Sequence, residues 1–180
     1  GHALPSVNAA AIEHLRRVDP RLHRIIRRSE PCNLAPRPGR TPFESLVRAV
    51  ANQQLNGTAA ETILHRFIKL FPGRRFPRPE EVLACDPQTI RAAGFSTAKV
   101  LAIRDIAEKA ASGVVPPSRV IGKWSDEAII DCLTQCRGVG RWTVQMLLMF
   151  KLGRPDVLPA DDFGVRQGFR VTYGLDELPK

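Results

Sequence analysis

Apolar residues recur every three or four positions through most of the chain, which is the spacing of an amphipathic helix. Phe43, Leu46 and Val50 follow this pattern directly after a Thr-Pro pair at 41–42, a combination typical of a helix start. No segment alternates apolar and polar residues for long enough to predict a strand. The pattern therefore predicts an all-α fold.

Caps and breakers divide this pattern into separate helices. Two short helices are predicted before residue 30, with a break near Asp19-Pro20, and an irregular connection follows over 31–42. A polar segment at 52–57 separates two further helices, and 113–117 is predicted to be a linker. The remaining helices are predicted over 79–85 and 87–93, after Ser96, after Ser125, after residue 140 and after residue 162.

Residues 133–144 join two of the predicted helices through a short connection that contains Gly138 and Gly140. Glycine permits a positive φ and lets another backbone approach closely. The backbone N–H groups of 138–141 are expected to be free at the positive end of the second helix, which favours a bound phosphate. An ordinary tight helical hairpin would have the same spacing.

The charge balance favours an anionic partner. The chain has 180 residues, of which 43% are apolar, enough to form a core in one domain or two small lobes. It carries 27 Lys and Arg against 18 Asp and Glu, for a net charge of +9. Nucleic acid is one such partner, although a basic protein without one shows the same balance.

No apolar stretch approaches the roughly 20 residues of a membrane helix, and no signal peptide is visible. The sequence therefore predicts a cytoplasmic protein with no membrane partner. Residues 1–3 are interpreted as a tag remnant or a disordered terminus. The four cysteines, Cys32, Cys85, Cys132 and Cys136, are scattered, and we expect free thiols.

Two motifs resemble the helix–hairpin–helix DNA glycosylases, and in particular the 3-methyladenine DNA glycosylase II type. The first is Gly-Val-Gly-Arg-Trp-Thr at 138–143, and the second is Pro-Ala-Asp-Asp at 159–162. The segment Gly-Phe-Ser-Thr-Ala-Lys at 94–99 resembles a further family signature, in which the helix packs against the catalytic lobe. The hairpin alone also occurs in DNA-binding proteins that are not enzymes.

The resemblance implies a two-lobed helical fold with a cleft between the lobes. Residues 4–180 would form one catalytic unit. Lobe one would cover about 41–152, and lobe two would combine 4–40 with 153–180. Family members usually continue with further helices, so lobe two is expected to be short or truncated.

The resemblance also implies a catalytic aspartate at residue 162. A fixed carboxylate stabilises the oxocarbenium-like sugar that forms when an N-glycosidic bond breaks, and it orients the attacking water. An aspartate at a helix start is also a common N-cap. We assign the cap to Asp161 and the catalytic role to Asp162, which the helix dipole would help to keep ionised.

Trp142 stands where superfamily members that also cut the DNA backbone carry a nucleophilic lysine. An indole forms no Schiff base, so the resemblance implies a monofunctional enzyme. A cationic alkylated purine would stack on this ring, although Trp142 could instead be a core residue beneath the hairpin. Trp124, Phe43 and Phe163 are the weaker candidates for the pocket.

The resemblance places Gln54 and Leu55 against DNA, with Leu55 filling the gap that a flipped base leaves. The alternative is that Leu55 is an ordinary core contact at the end of its helix. The hairpin would bind phosphates through Gly138, Gly140, Arg137 and Arg141. The expected partner is double-stranded DNA with alkylated bases, bound by a monomer.

The family hairpin also binds a monovalent cation through backbone carbonyls. The matching carbonyls are those of Thr134, Cys136 and Val139, so structural Na⁺ or K⁺ is possible there, and no cofactor is expected to be required. Some superfamily members hold an iron–sulfur cluster on four closely spaced cysteines. This chain has no such run, and none is predicted.

Three functions remain from the sequence. The first is a glycosylase that removes alkylated bases, such as 3-methyladenine or 7-methylguanine, and leaves an abasic site. The second is a non-catalytic helix–hairpin–helix DNA-binding module, and the third is a basic helical scaffold for proteins. The Asp-Asp loop at the expected distance from the hairpin favours the first.

Overall fold

The computed structural model describes residues 7–32, 39–55 and 57–180, apart from the side chain of residue 7. Residues 1–3 therefore lie outside the described residues. Within the described ranges the secondary structure is helical throughout, and no strand occurs there. The helices are α1 Val7–Val18, α2 Pro20–Arg28, α3 Pro42–Asn52, α4 Gly57–Lys69, α5 Pro79–Ala84, α6 Pro87–Ala92, α7 Thr97–Ala111, α8 Ser118–Ile121, α9 Asp126–Leu133, α10 Arg141–Phe150 and α11 Phe163–Tyr173.

The helix starts follow the caps that the sequence carries. Asp19, Ser96 and Ser125 each accept a hydrogen bond from a backbone N–H in the first turn of the helix that follows. Thr41 does the same for α3, but Glu44 does not complete a capping box. Its buried carboxylate instead pairs with Arg48 and Arg75, at 3.0 and 2.9 Å.

A continuous hydrophobic core lies among α3, α4, α7, α9 and α10. Leu46, Phe67, Ile103, Leu133 and Leu148 are fully buried in it, each contributed by a different one of these helices. This core fixes α7 against α3 and against the α9–α10 hairpin. The all-α fold class is thereby confirmed.

The start of α2 and the end of α11 meet through polar contacts. Tyr173, the last residue of α11, donates its hydroxyl hydrogen bond to Asp19 at 2.5 Å. The Arg21 guanidinium donates to the Tyr173 carbonyl at 2.6 Å and lies over its ring. Neither α2 nor α11 has a buried residue. The division into lobes stays a prediction.

The thiols are free in the described part of the chain, and only Cys136 is buried. Burial raises the pKa of the Cys136 thiol to about 11. Among the described helices, none is both long enough and apolar enough to cross a membrane.

Candidate active site and DNA interface

The connection between α9 and α10 depends on one of its two glycines for its shape. Gly138 has φ +76°, and a Cβ there would lie 3.2 Å from the Ala102 Cβ of α7. Both the backbone conformation and the close approach therefore require glycine. Gly140 has φ −96° and open space where a Cβ would be. Within the described structure, neither its φ nor the space around it requires glycine.

The hairpin amides are partly occupied. Val139 donates its N–H to the Cys136 carbonyl at 3.1 Å, so the expectation that all the amides of 138–141 are free is wrong at this residue. No group in the described part of the chain accepts from the N–H groups of Gly138, Gly140 or Arg141. These amides and the first turn of α10 supply the donors of an anion site.

Asp105 on α7 stabilises the same turn, and sequence reasoning missed it. Its carboxylate accepts from the Arg137 backbone N–H at 2.7 Å and from the Lys109 ammonium at 2.6 Å. Burial acts to raise the pKa of Asp105, but these two donors outweigh it and hold the pKa below the usual value. The i,i+4 spacing of Asp105 and Lys109 was the only sequence signal, and it indicates a common surface pair.

Asp162 and Trp142 meet at the start of α11. The Trp142 indole N–H donates to one Asp162 oxygen at 2.7 Å. The other oxygen accepts from the Val165 backbone N–H at 2.9 Å, which makes Asp162 the N-cap of α11. The Val165 N–H first, and then the Trp142 N–H, lower the pKa of Asp162, so the carboxyl is ionised at neutral pH.

The assignment of the cap to Asp161 is therefore wrong. The Asp162 N–H donates to the Pro159 carbonyl at 2.9 Å, which places Asp161 inside a tight turn and Asp162 at the helix start. A Cβ at residue 164 would lie 3.1 Å from Asp162 Oδ1, so Gly164 leaves room for the carboxylate. A single side chain thus caps α11 and contacts Trp142.

A groove of about 460 Å³ begins at Trp142. Thr143 and Met146 of α10 form one wall, and Ala49, Asn52, Gln53 and Gln54 form the other. Trp142 is 49% exposed, so it is not a core residue. Sequence reasoning missed Met146, which lies one helical turn after Trp142 and on the same side of α10.

The other aromatic candidates are placed differently. Phe43 is buried in the core and packs edge-to-face against Phe76 at 5.9 Å, so its assignment to the pocket is wrong. Trp124 packs partly buried against the core and does not line the groove beside Trp142. Phe163 follows Asp162 and is 69% exposed, next to the carboxylate in the chain.

The turn between α3 and α4 forms the far edge of this groove. Gln54 has φ +58°, and among the described residues it is the only non-glycine with a positive φ. Leu55 is 40% exposed, which excludes the alternative of a core contact. The Gln53 amide donates to the Gly138 carbonyl at 2.8 Å and so joins this turn to the hairpin.

Comparison with known proteins identifies the family. The family model described as HhH-GPD superfamily base excision DNA repair protein matches residues 47–180. The chain belongs to the HhH-GPD superfamily. DNA-3-methyladenine glycosylase 1 of Schizosaccharomyces pombe is 45% identical over 138 residues, which are 77% of this chain and 60% of that protein. The alkylbase DNA glycosidase-like protein mag2 of the same organism is 32% identical over 94% of this chain and 80% of its own length.

The fold matches a solved member of the superfamily. The structure of S. pombe 3-methyladenine DNA glycosylase Mag1 in complex with abasic DNA superimposes with a TM-score of 0.82 at 39% identity. The match covers 95% of this chain and 84% of that one. The chain thus spans about 60% of the first relative and most of the solved structure.

Of the two hairpin arginines of this HhH-GPD chain, one is already paired. Arg141 makes two hydrogen bonds to the Glu127 carboxylate, at 3.1 and 2.6 Å, and this pairing raises the pKa of the guanidinium. Arg137 is exposed, and no hydrogen bond or salt bridge joins its guanidinium to another described residue, although its charge helps to lower the pKa of the Asp105 carboxyl. Arg137 is the freer of the two to contact a phosphate.

The carbonyl groups named for a cation suit a hard monovalent ion, which prefers oxygen ligands. The Thr134 and Val139 carbonyls accept no hydrogen bond from the described residues, and the Cys136 carbonyl accepts one, from Val139. The described residues include no group of three His, Cys, Asp or Glu side chains placed to hold a metal. The cation site stays a prediction.

Proposed function

We propose that this chain is a monofunctional DNA glycosylase that hydrolyses the bond between deoxyribose and an alkylated purine in duplex DNA. The observation that carries the proposal is the contact between Trp142 and Asp162 at the mouth of a groove beside the hairpin. It puts an aromatic face and an ionised carboxylate at one position, next to free backbone N–H groups. Such a site holds a flipped base and stabilises the sugar cation that its departure leaves.

The reaction needs little from the protein beyond electrostatic stabilisation. The C1′–N bond breaks, and its electron pair leaves with the base. Water then forms a bond to C1′ and releases a proton, which gives an abasic site. A carboxylate held by two donors is already oriented before the charge develops, which is the condition for effective stabilisation.

Alkylated purines suit this site. A purine methylated at N3 or N7 is cationic in DNA, and it leaves as a neutral molecule without a general acid. Its positive charge favours stacking on the Trp142 ring. Trp142 also stands where a nucleophilic lysine would be required for strand cleavage. The proposal therefore names 3-methyladenine and 7-methylguanine as substrates and an intact abasic strand as product.

Binding to DNA uses the hairpin and the turn before α4. Free amides at Gly138, Gly140 and Arg141, together with Arg137, contact phosphates, while Leu55 fills the gap left in the base stack. The enzyme acts as a monomer and needs no cofactor, with Na⁺ or K⁺ as a structural ion at the hairpin. It works where the DNA is, in the nucleoid of a bacterial cell.

Base release from single-lesion duplexes tests the proposal. We expect free 3-methyladenine and 7-methylguanine, an unbroken strand until alkali is added, and no covalent complex after borohydride reduction. A duplex bound without base release would favour the non-catalytic module. A borohydride-trapped adduct would instead reveal an amine nucleophile.

A further inference from the structure

The turn that carries Gln54 and Leu55 is held in a conformation that its own sequence does not favour. A non-glycine residue in the left-handed region is strained, and such residues persist only where their surroundings hold them. Gln54 is in this region, with φ +58°. Two side chains, those of Lys99 and Gln53, hold this backbone in place through hydrogen bonds.

The first is Lys99, in the first turn of α7. Its ammonium donates to the Ala51 carbonyl at 2.9 Å and to the Gln53 carbonyl at 2.6 Å. These carbonyls lie at the C-terminal end of α3, where carbonyls lack helical partners and a positive charge is favourable. Lys99 is half-buried, and burial lowers the pKa of its ammonium. Its contacts fix the backbone on the N-terminal side of Gln54.

The second is Gln53 itself, whose side-chain amide donates to the Gly138 carbonyl at 2.8 Å. This hydrogen bond crosses from the turn to the hairpin. Gly138 in turn lies close above Ala102 of α7. The Gln53 hydrogen bond thus joins the turn that carries Leu55 to the hairpin. Each of these two segments also contacts α7, the turn through Lys99 and the hairpin through Ala102.

One face of α7 supports both segments. Lys99, Ala102 and Asp105 follow one another at intervals of three residues, which places them along one side of the helix. Lys99 holds the turn, Ala102 lies beneath Gly138, and Asp105 accepts from the Arg137 amide. Because the inner face of α7 packs in the core and the helix has a fixed rise, α7 sets the distance between the turn and the hairpin amides.

We propose that Lys99 and Gln53 are positioning residues for base flipping, which hold Leu55 at a fixed distance from the hairpin amides. Phosphate contact at the hairpin then brings Leu55 to the step of the duplex from which the base is displaced. The inference rests on the proposed function, because it assigns Lys99 and Gln53 a task in displacing the base through their contacts with the backbone of the turn and the hairpin. Lys99 acts through Leu55, and Gln53 acts through both Leu55 and Gly138.

The test compares Lys99→Met, which keeps the aliphatic stem and removes the donors, with Lys69→Met at the far end of α4. Single-turnover base release is measured for 7-methylguanine paired with cytosine and for 7-methylguanine opposite an abasic analogue. A lesion without a partner base is easier to displace. We expect Lys99→Met to slow release of the paired lesion by roughly tenfold, with a much smaller effect on the unpaired one. Lys69→Met should release both the paired and the unpaired lesion at the rate of the parent protein.

A second comparison uses the Leu55→Ala background. If Lys99 acts through Leu55, adding Lys99→Met to Leu55→Ala should cause little further loss, because residues that act as a unit are not additive. Lys99→Arg, which keeps a charged donor, should restore part of the difference between paired and unpaired lesions. Equal losses on the two lesions, or full additivity with Leu55→Ala, would overturn the proposal.

Two further measurements keep the result decisive. If Lys99→Met unfolds below the assay temperature, Gln53→Ala takes its place, since it removes the link to Gly138 and should show the same preference for unpaired lesions. Because Gln53 also lines the groove beside Trp142, the readout for this variant is the ratio of the two release rates and not the absolute rate. Fluorescence of 2-aminopurine in the opposite strand reports base displacement without chemistry. Failure of the parent protein to release any base would refute the proposed function, while this signal would still distinguish Lys99→Met from Lys69→Met. An unchanged signal in Lys99→Met would refute the positioning role.

Discussion

The two halves of the site are held to the molecule in different ways. The helices that carry Trp142 and the hairpin pack into a continuous core, in which residues such as Leu148 are fully buried. Helix α11, which begins at Asp162, has no buried residue. It is held by directional contacts instead, at Trp142 near its start and at Asp19 near its end. The half that carries the hairpin therefore lies on a frame of buried side chains, whereas the carboxylate depends on a few hydrogen bonds.

The charge of Asp162 should have the largest effect of any single change. Asp162→Asn keeps the size of the side chain and its ability to cap α11, but it removes the charge to which we assign stabilisation of the sugar cation. We expect a loss of roughly a thousandfold in single-turnover base release. Binding to abasic duplex should be unchanged or tighter, because a negative charge near the phosphates is gone.

Asp161→Asn is the matched control, since Asp161 is exposed in the turn and the hydrogen bonds of Trp142 and Val165 go to Asp162 instead. The Asp161 charge acts on Arg141, so DNA binding is measured beside the rate. The effect of Asp161→Asn on the rate should be far smaller. Small and equal effects of the two substitutions would leave Asp162 a structural cap and support the binding module. A large effect at Asp161 alone would reverse the assignment within the pair.

A core truncation tests the half that carries the hairpin. Leu148→Ala removes a fully buried side chain and should lower the free energy of unfolding by about 2–5 kcal/mol. Val171→Ala on α11, where the side chain is 71% exposed, should change it by less than about 0.5 kcal/mol. Urea denaturation of both variants measures the difference. Similar losses would mean that α11 shares the core's stability.

Trp142→Phe removes the hydrogen bond that joins the hairpin half of the site to Asp162. Phenylalanine keeps an aromatic face for the base but has no N–H, so Asp162 loses one of its two donors. We expect base release to slow by roughly tenfold to a hundredfold, whereas Trp124→Phe, away from the groove, should leave it nearly unchanged.

The pH profile of the same variant has a defined direction. The pKa of Asp162 is depressed, so the ionised form is present above that pKa and is lost as the pH falls through it. Removal of the Trp142 N–H should raise this pKa toward the ordinary carboxyl value. The acid limb of kcat/KM should therefore move to higher pH in Trp142→Phe. An unmoved limb would show that the hydrogen bond does not act on the ionisation of Asp162.

The sequence predicted much of the frame because the relevant signals are local. Helix starts follow from Thr41, Ser96 and Ser125. The motif resemblance assigned Trp142 and Asp162 separate roles in one site, but it did not predict the hydrogen bond between them. The cap was assigned to the wrong aspartate because the choice depends on a turn closed at the Pro159 carbonyl, which is a matter of backbone geometry and not of residue type.

Contacts between distant segments had no sequence signal. Arg137 and Asp105 are 32 residues apart, and Lys99 and Gln53 are 46 residues apart. Each contact joins a backbone group to a side chain, so one partner has no particular residue type. Phe43 was placed in the pocket for its aromatic ring, but its position on the helical repeat with Leu46 and Val50 puts it in the core.

A substitution at the C-terminal end of α11 should have the smallest effect on base release, and it tests whether that end of the helix positions Asp162. Tyr173→Phe removes the hydroxyl that donates to Asp19 while the ring still stacks on Phe169. Because α11 has no core contacts, this loss should let its start shift relative to Trp142. We expect kcat to fall by less than in Trp142→Phe, KM for duplex to hold, and the melting temperature to change by only about a few degrees.

A double-mutant cycle with Asp19→Asn isolates this contact, because Asn still caps α2 but accepts a weaker hydrogen bond from Tyr173. If the hydrogen bond between Tyr173 and Asp19 positions Asp162, each single variant should lower kcat. The double variant should then have a kcat only slightly below that of either single variant. Additive effects would mean that Asp19 and Tyr173 act separately. An effect on KM alone would assign the contact to DNA binding, and α11 would then depend on Trp142 and its own N-cap to place the carboxylate.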